Sequence, residues 1–418
     1  MLLFFTLLQI GCFSWAATFP ALEQMHEPSA TIEQPKPASA NMRMPDLDGL
    51  RAVAISLVLM DHFASMSLPV QLFRTVAHFG WVGVDLFFVI SGFLIGGILL
   101  DQREAANYYR IFYLRRFFRI FPLYGLLLLP MVGVVALGLQ SRFFGHGLAS
   151  LGWETVLLYV FFQQNLGNGL LVTTPGYMGP AWSLAIEEQF YLLLPPLVRH
   201  LNKARLLKLI IAAIVAAPLI RTALFLCPAT AAKAGAAAVV LLPCRWDALL
   251  AGVLVAYGVR QARFQDWISK RLKQLRAAWL LLGAGMVGLA LSDLPAHAPF
   301  NAIGGFSWIA GFFACTLLLT RVNPQGRVHY WLSRPVLKPL ATISYGLYLI
   351  QGPTMAVRKS VLDRLGCDLM GWEALGVNIL TFGVTVLAAV ISWRFFESRL
   401  IQLVHKHNYR YKRTPVSS

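Results

Sequence analysis

An arginine and a histidine frame the apolar stretch RAVAISLVLMDHF, residues 51–63. If this stretch is helical, the eleven steps from Arg51 to His62 exceed three full turns by only about 20°, so both side chains share one face, about 16 Å apart along the axis. Asp61 lies about 100° away from His62 and does not stack beside it. An imidazole that exchanges its proton near neutral pH inside a membrane helix is a candidate for catalysis or proton transfer.

Each of these residues also has a purely structural interpretation. Arg51 would serve equally well as a cationic anchor at the inner membrane surface, and His62 as a hydrogen-bonding residue near the interface. The shared helix face does not decide between the structural and the functional interpretation.

Two further polar residues, Asp85 and Ser91, lie in the stretch GVDLFFVISGFLI, residues 83–95. They are six residues apart, which places them on different helix faces, so a triad of Ser91, His62 and Asp85 is disfavoured. Asp85 as a residue that orients His62 remains an open expectation. The glycine of the SGF sequence predicts close helix packing.

A basic aromatic stretch, YYRIFYLRRFFRIFPLY, opens the next span and carries Arg116 and Arg119. These arginines are separated by three residues and share a helix face, where a guanidinium pair can hold phosphates. Arginines and aromatic residues are also ordinary anchors at the inner membrane surface.

Another span, WSLAIEEQFYLLLPP, carries Ser183, Glu187 and Tyr191 at helical spacing on one face. A buried glutamate requires a partner, and we expect an arginine from another span. Arg245 and Asp247 begin a later span, and an ion-pair network that fixes the bundle explains these charges as well as catalysis does.

The composition identifies the class of protein. Hydrophobic residues make up 57% of the 418 residues, charged residues 13%, and the mean hydropathy is +0.62. The apolar runs are continuous rather than alternating, which predicts an all-α polytopic membrane protein and disfavours a β-barrel. The net charge of +17 does not indicate nucleic acid, because the basic loops are short and separated by apolar spans. No spacing of the five cysteines indicates a metal site, and free cysteines are favoured over a disulfide between Cys227 and Cys244.

The chain divides into about ten predicted spans, at residues 50–67, 81–100, 120–140, 182–198, 207–227, 237–258, 278–294, 301–320, 339–357 and 373–394. With both termini cytoplasmic, 28 lysines and arginines fall inside and six fall outside. This asymmetry follows the positive-inside rule and supports the ten-span arrangement.

Three segments lie outside this pattern. Residues 153–164 are apolar but too short to span, and we interpret them as a re-entrant or interfacial segment. Residues 1–43 form an N-terminal extension, which is a signal-like segment, an extra span or the product of a start site assigned too early, followed by a linker. Residues 44–400 form the transmembrane domain, and residues 401–418 form a basic cytoplasmic tail.

Seven stretches in fixed order resemble the family-3 membrane-bound acyltransferases, the group of bacterial O-antigen and exopolysaccharide O-acetylases. The resemblance covers residues 44–400 and is carried by LDGLRAVAISLVLMDHF, GVDLFFVISGFLI, YLRRFFRIFPLY, WSLAIEEQFYLLLP, RWDALLAG, ISYGLYLIQ and FFESRL. The family's hallmark is an arginine or lysine, ten residues and a histidine in the first span, which Arg51 and His62 match.

The resemblance implies that His62 is the essential catalytic residue and that the pair Arg116 and Arg119 takes part in the use of acyl-CoA. Glu187 and Tyr191 match the family's E-x-x-F-Y element. Many members carry a histidine where this chain has Gln351, which implies that this position is not essential here or that acceptor handling differs.

The resemblance also implies the reaction. A membrane O-acyltransferase would move an acyl group, in most members acetyl, from cytoplasmic acyl-CoA to a hydroxyl of an exported or cell-surface glycan, in the bacterial inner membrane. His62, Arg51, Asp85 and Glu187 are the expected catalytic residues, and no metal is expected. The alternatives are a polytopic transporter that uses His62 and Arg51 as an ion or proton path, and a catalytically inactive scaffold. The sequence does not define the acyl group, the acceptor or the oligomeric state.

Overall fold

The computed structural model describes residues 44–64, 71–139, 152–167, 175–367 and 371–411, and every regular element in these ranges is helical. The predicted N-terminal extension, residues 1–43, and the last residues of the predicted tail lie outside the described residues. An all-α fold is therefore confirmed for the described part of the chain.

The described part of the chain contains seventeen α-helices. They are α1 (Pro45–Phe63), α2 (Gln71–His78), α3 (Gly83–Asp101), α4 (Tyr108–Ala136), α5 (Trp153–Val160), α6 (Gln164–Gly167), α7 (Trp182–His200), α8 (Lys203–Leu226), α9 (Ala234–Val240), α10 (Leu242–Gly258), α11 (Ala262–Ser269), α12 (Leu272–Leu291), α13 (Phe306–Val322), α14 (Arg327–Leu332), α15 (Lys338–Leu365), α16 (Gly371–Ser392) and α17 (Ser398–His405). Short 3-10 turns occupy Phe79–Val82, Gly176–Ala181, Ala231–Lys233 and Pro335–Leu337, and π-helical turns occupy Asn301–Gly305 and Trp393–Glu397.

Seven helical stretches of the described residues are long and apolar enough to cross a membrane: Phe73–Asp101, Tyr108–Ala136, Lys203–Leu226, Ala231–Gly258, Leu272–Leu291, Asn301–Val322 and Trp372–Val404. Each of the ten predicted spans coincides with a long helix, but α1, α7 and α15 are not among the seven. The multi-span character is confirmed, whereas the count of ten and the orientation of the termini stay predictions.

The three long helices outside the apolar set each carry polar residues within the bundle. Helix α1 carries Arg51 and His62, α7 carries two adjacent glutamates, and α15 is interrupted by Ser344, Tyr345 and Gln351. Such side chains lower the apolarity of a helix and are tolerated at membrane depth where neighbouring helices bury them. These polar residues account for the lower apolarity of α1, α7 and α15.

Glycines allow α3 and α10 to pack backbone to backbone. A Cβ atom added at Gly92 would overlap the carbonyl of Leu249, and one added at Gly252 would overlap the carbonyl of Val89. Small residues at such crossings let two helix backbones approach closely. The predicted packing role of the SGF glycine is confirmed.

Two buried ion pairs fix helices α3, α8 and α10 to one another, and Phe306 of α13 packs on one of the arginines. Arg245 Nη2 donates to Asp85 Oδ1 over 2.8 Å, and Arg221 Nη1 donates to Asp247 Oδ2 over 3.0 Å. All four side chains are at most 2% exposed. The Arg245 guanidinium also lies 3.7 Å from the centre of the Phe306 ring. The arrangement neutralises each buried charge within the bundle.

Within the short apolar segment at residues 153–164, α5 covers Trp153–Val160, residues 161–163 are not helical, and Gln164 begins α6. Helix α5 has eight residues, too few to cross a bilayer. Its re-entrant or interfacial position stays a prediction. Cys227 and Cys244 are free, one exposed and one buried, as predicted.

Candidate active site

Helix α1 begins with a sequence suited to a helix start. Pro45 occupies the first turn together with Asp46 and Asp48, whose negative charges favour the positive end of the helix dipole. Asp46 is buried and accepts from Arg321 Nη1 over 3.0 Å, which attaches the start of α1 to α13. The helix continues without a break to Phe63, so Arg51 and His62 share one face, as the spacing predicts.

An internal cavity of about 100 Å³ lies between α1, α3, α4, α7 and α15. It is lined by Arg51, Val84, Phe87, Phe88, Ile90, Ser91, Leu94, Ile95, Arg116, Arg119, Ile120, Ser183, Leu184, Glu187, Tyr191, Ser344, Tyr345 and Tyr348. The cavity thus brings together the arginine of the first span, the basic pair and the polar stripe of α7.

Three guanidinium groups face the cavity. Arg116 and Arg119 come from one face of α4, and Arg51 comes from the second turn of α1. Arg116 lies 5.9 Å from the centre of the Tyr191 ring, and Arg51 has an oxygen of Asp48 at 3.8 Å. Glu187 is the single carboxylate among the described residues that line the cavity. An excess of positive charge in a partly enclosed space favours an anionic ligand.

Glu187 is held by two hydroxyl groups. Ser91 Oγ donates to Oε1 over 3.0 Å, and the Tyr191 hydroxyl donates to Oε2 over 2.8 Å. We expected an arginine as the partner of Glu187, but no guanidinium lies within ion-pair distance of it among the described ion pairs. One turn away, the hydroxyl oxygens of Ser183 and Tyr348 are 2.5 Å apart.

His62 does not line the cavity, and its partner is on its own helix. The Nδ1 atom lies 2.8 Å from the carbonyl oxygen of Val58. Because a carbonyl can only accept, this hydrogen bond requires the proton on Nδ1, which leaves the lone pair of the neutral imidazole on Nε2. The structure therefore holds His62 in the tautomer that a general base at Nε2 needs.

Asp85 does not orient His62 in this structure. Its Oδ1 accepts from Arg245, and its Oδ2 meets no hydrogen-bond partner among the described residues. The sequence left Asp85 open as a residue that orients His62, but the partner of Asp85 comes from α10, 160 residues further along the chain. Asp61 also contacts another residue, since it lies 3.1 Å from His78 Nδ1.

The cavity contacts α1 at Arg51, and His62 lies about three turns further along the same helix, outside the lining. Helices α1 and α3 are in direct contact where Gly83 packs against Leu57, and the neighbouring Val84 lines the cavity. From Leu57 to His62 the helix rises about 7.5 Å. A ligand held by the three arginines must therefore extend beyond this cavity to reach His62.

The sequence alone did not predict the role of several residues in and near the site. Ser91 was considered only as a nucleophile, yet it serves as a donor to Glu187. Tyr345 and Tyr348 lie within the stretch ISYGLYLIQ and line the cavity. Gln351 is fully buried, and neither atom of its amide meets a hydrogen-bond partner among the described residues.

The family-3 acyltransferase domain matches residues 44–394, which is most of the chain and includes every residue that lines the cavity. The chain belongs to the family-3 acyltransferases. The resemblance carried by the seven sequence stretches is thereby confirmed.

Relatives within this acyltransferase family extend the comparison. The peptidoglycan O-acetyltransferase OatA of Listeria monocytogenes is 26% identical over 371 residues, 85% of this chain and 55% of that protein. The putative peptidoglycan O-acetyltransferase YrhL of Bacillus subtilis is 27% identical over 364 residues, 85% of this chain and 54% of that protein. The O-acetyltransferase OatA of Staphylococcus aureus is 25% identical over 367 residues, with shares of 85% and 57%.

This acyltransferase spans about half the length of the curated relatives it matches. No solved structure matches the chain. The comparisons thus establish the family, and the arrangement of the cavity carries the chemical interpretation.

Proposed function

We propose that this protein is a membrane O-acetyltransferase that moves an acetyl group from acetyl-CoA to a hydroxyl of a cell-wall or cell-surface glycan. The names of three relatives support the O-acetyl class, and two of those names specify peptidoglycan. Family membership favours this function over the alternative of a transporter. The main structural support for the proposal is the cavity that Arg51, Arg116 and Arg119 line together, about three turns of α1 from His62.

The donor would be bound by its phosphates. Acyl-CoA carries several phosphate charges at one end and the thioester at the other, and guanidinium groups bind phosphates through paired hydrogen bonds. Arg116 and Arg119 occupy the cavity side of the basic aromatic stretch of α4. In the proposed orientation this end faces the cytoplasm of a bacterial cell, where acyl-CoA is available, and the membrane is the inner membrane.

The transfer step would use His62 as the general base. Nε2 takes the proton of the acceptor hydroxyl while the hydroxyl oxygen attacks the thioester carbonyl. The bond from carbon to sulfur then breaks, the acyl group stays on the acceptor oxygen, and the imidazolium returns the proton to the leaving thiolate. In a second route Nε2 itself attacks the carbonyl, the bond from carbon to sulfur breaks, and CoA leaves as the thiolate. An acceptor hydroxyl on the outer side then attacks the transient acyl-His62, the bond from carbon to Nε2 breaks, and the hydroxyl proton passes to the freed Nε2.

Arg51 and Glu187 have supporting roles in this proposal. Arg51 lies on the His62 face of α1 and lines the cavity, where its charge would stabilise the negative oxygen that develops at the thioester carbonyl or hold a donor phosphate. Glu187 anchors Ser91 and Tyr191 and keeps the wall of the cavity in place. Asp85 acts on the fold through Arg245 and makes no contact with the reacting groups.

Mass spectrometry of surface glycans tests this function. We expect a strain that lacks the gene to lose one acyl mass from a defined glycan, and expression of the unchanged chain to restore it. That mass would also name the acyl group and the acceptor. Unchanged glycans, together with substrate flux and no consumption of acyl-CoA, would support the transporter instead.

A further inference from the structure

The segment after the last helix folds back across the basic end of the bundle. We call residues 406–411 the C-terminal strap. Arg115 Nη2 donates to the carbonyl of His407 over 2.7 Å, and the backbone N–H of Ala106 donates to the carbonyl of Arg410 over 2.8 Å. The strap is therefore attached to the first turns of α4 and to the loop before it.

A side-chain amide fixes the middle of the strap. Asn107 Nδ2 donates to the carbonyl of Asn408 over 3.0 Å, and Asn107 Oδ1 accepts from the backbone N–H of Arg410 over 2.8 Å. These two bonds lie on either side of Tyr409 in the chain. The backbone of Tyr409 is thus held on both sides, which determines where its ring can lie.

The Tyr409 ring packs against the main core beneath Arg115. The guanidinium carbon of Arg115 lies 5.3 Å from the ring centre. The Tyr409 hydroxyl and Arg115 Nε are both buried, and neither meets a hydrogen-bond partner among the described residues. Burial raises the pKa of Tyr409 to about 12, so its hydroxyl stays protonated at neutral pH and can donate. Two adjacent donors therefore lack acceptors.

Arg116 is near both the cavity and the pair of Tyr409 and Arg115. It lines the cavity beside Tyr191, and its charge, like that of Arg115, acts on the Tyr409 hydroxyl. Neither Arg115 nor Arg116 belongs to an ion pair among the described residues. Unneutralised guanidinium groups beside donors that lack acceptors suit a ligand with charged oxygens, and phosphate meets this requirement.

We propose that Tyr409 and Arg115 form a phosphate subsite beside Arg116, next to the cavity that Arg116 lines, and that the C-terminal strap is part of the donor site. The subsite holds a phosphate of the nucleotide head of an acyl-CoA, while Arg116 and Arg119 hold the phosphates deeper in the cavity. This assignment rests on the proposed function. A phosphate of an anionic lipid has the same chemistry, and the experiment distinguishes the two sources.

Binding of CoA to the full chain in a zwitterionic detergent, measured by calorimetry, tests the subsite. Tyr409→Phe removes only a hydroxyl that makes no hydrogen bond to the described residues, and it is therefore the decisive variant. Arg115→Lys keeps the charge but removes Nε together with the Nη2 bond to the carbonyl of His407. We expect each substitution to weaken CoA binding roughly tenfold, because a hydrogen bond to a charged group is lost. The Michaelis constant for acyl-CoA should rise in parallel, with kcat at saturating donor unchanged.

The chain offers a matched control at its surface. Tyr330 and Arg334 also form a cation–π pair, with 5.2 Å from guanidinium to ring centre, but Tyr330 is exposed and lies outside the cavity. Tyr330→Phe and Arg334→Lys should leave CoA affinity within about twofold of the unchanged chain, since neither removes a bond to a charged ligand.

Three results would overturn the subsite. The first is CoA binding by Tyr409→Phe and Arg115→Lys equal to that of the unchanged chain. The second is an equal loss of CoA binding in the two control variants. The third is a change in the binding of a short-chain phosphatidylglycerol with no change in the binding of CoA. Failure of the proposed function is a separate result, because the unchanged chain would then bind no CoA at all, and the subsite would fall with it.

Discussion

The Ser91 hydroxyl donates a 3.0 Å hydrogen bond to Glu187 Oε1 and thereby joins α3 to α7 at the wall of the cavity. Tyr191 donates to the other carboxylate oxygen from one turn further along α7. Both hydroxyl groups depend on one carboxylate that is itself largely removed from water. The wall of the cavity is therefore sensitive to what occupies position 187.

Glu187→Ala should destabilise the protein more than Glu187→Gln does. Alanine removes the shared acceptor, and although Tyr191 can still donate to Ser91 Oγ over 3.3 Å, the half-buried Ser91 hydroxyl loses its acceptor, at a cost of about 1–3 kcal/mol. Glutamine retains an acceptor oxygen for Ser91. Thermal unfolding of the two variants in detergent measures the difference. Equal stability of the alanine and glutamine variants would contradict the role of Glu187 as the anchor of this wall.

Arg116→Lys and Arg119→Lys should raise the Michaelis constant for acyl-CoA about tenfold or more each, because lysine cannot make the paired hydrogen bonds of a guanidinium group to phosphate. Steady-state kinetics with varied donor concentration gives the constant. Arg364→Lys, at an exposed arginine of α15, is the matched control and should leave it unchanged. If the two cavity substitutions behave like this control, the arginines do not bind the donor.

Arg245→Ala should cost about 3–5 kcal/mol of stability, because it leaves the buried carboxylate of Asp85 without its cation. The double substitution Arg245→Met with Asp85→Asn removes both charges and should recover part of this loss. Chemical unfolding followed by tryptophan fluorescence measures both. The surface pair of Lys270 and Asp266 provides the contrast, since Lys270→Ala should change stability little. A double variant less stable than Arg245→Ala would contradict the pairing.

Gly92→Ala should destabilise the contact of α3 with α10, because the added Cβ would overlap the carbonyl of Leu249. Separation of the two backbones would cost about 1–3 kcal/mol, as overpacking does in other cores. Gly288→Ala is the matched helical control, since nothing lies within 4 Å of its Cβ position, and it should be neutral or stabilising. Equal thermal stability of the two variants would show that α3 and α10 can separate at no cost.

Features that depend on a single helix could be predicted from the sequence. The shared face of Arg51 and His62, the pair Arg116 and Arg119, and the stripe that ends at Tyr191 all follow from helical periodicity. The contact of His62 with the carbonyl of Val58 could also be predicted, because Val58 is four residues earlier on the same helix.

Features that depend on the register between helices could not be predicted. Ser91 meets Glu187 across 96 residues of sequence, and Asp85 meets Arg245 across 160. Periodicity gives the face on which a side chain lies, but the helix that packs on that face is set by tertiary structure. The buried glutamate therefore has hydroxyl partners where charge complementarity alone predicts an arginine.

His62 is the proposed catalytic residue of the transfer, and its substitution by alanine tests this role most directly. Acetyl transfer to the surface glycan and CoA binding are measured on the same preparations, with His78→Ala as control because His78 is exposed and outside the cavity. We predict that His62→Ala lowers transfer about 10²- to 10⁴-fold, the contribution of a general base, and leaves CoA binding intact. Transfer that persists unchanged in His62→Ala would contradict the account.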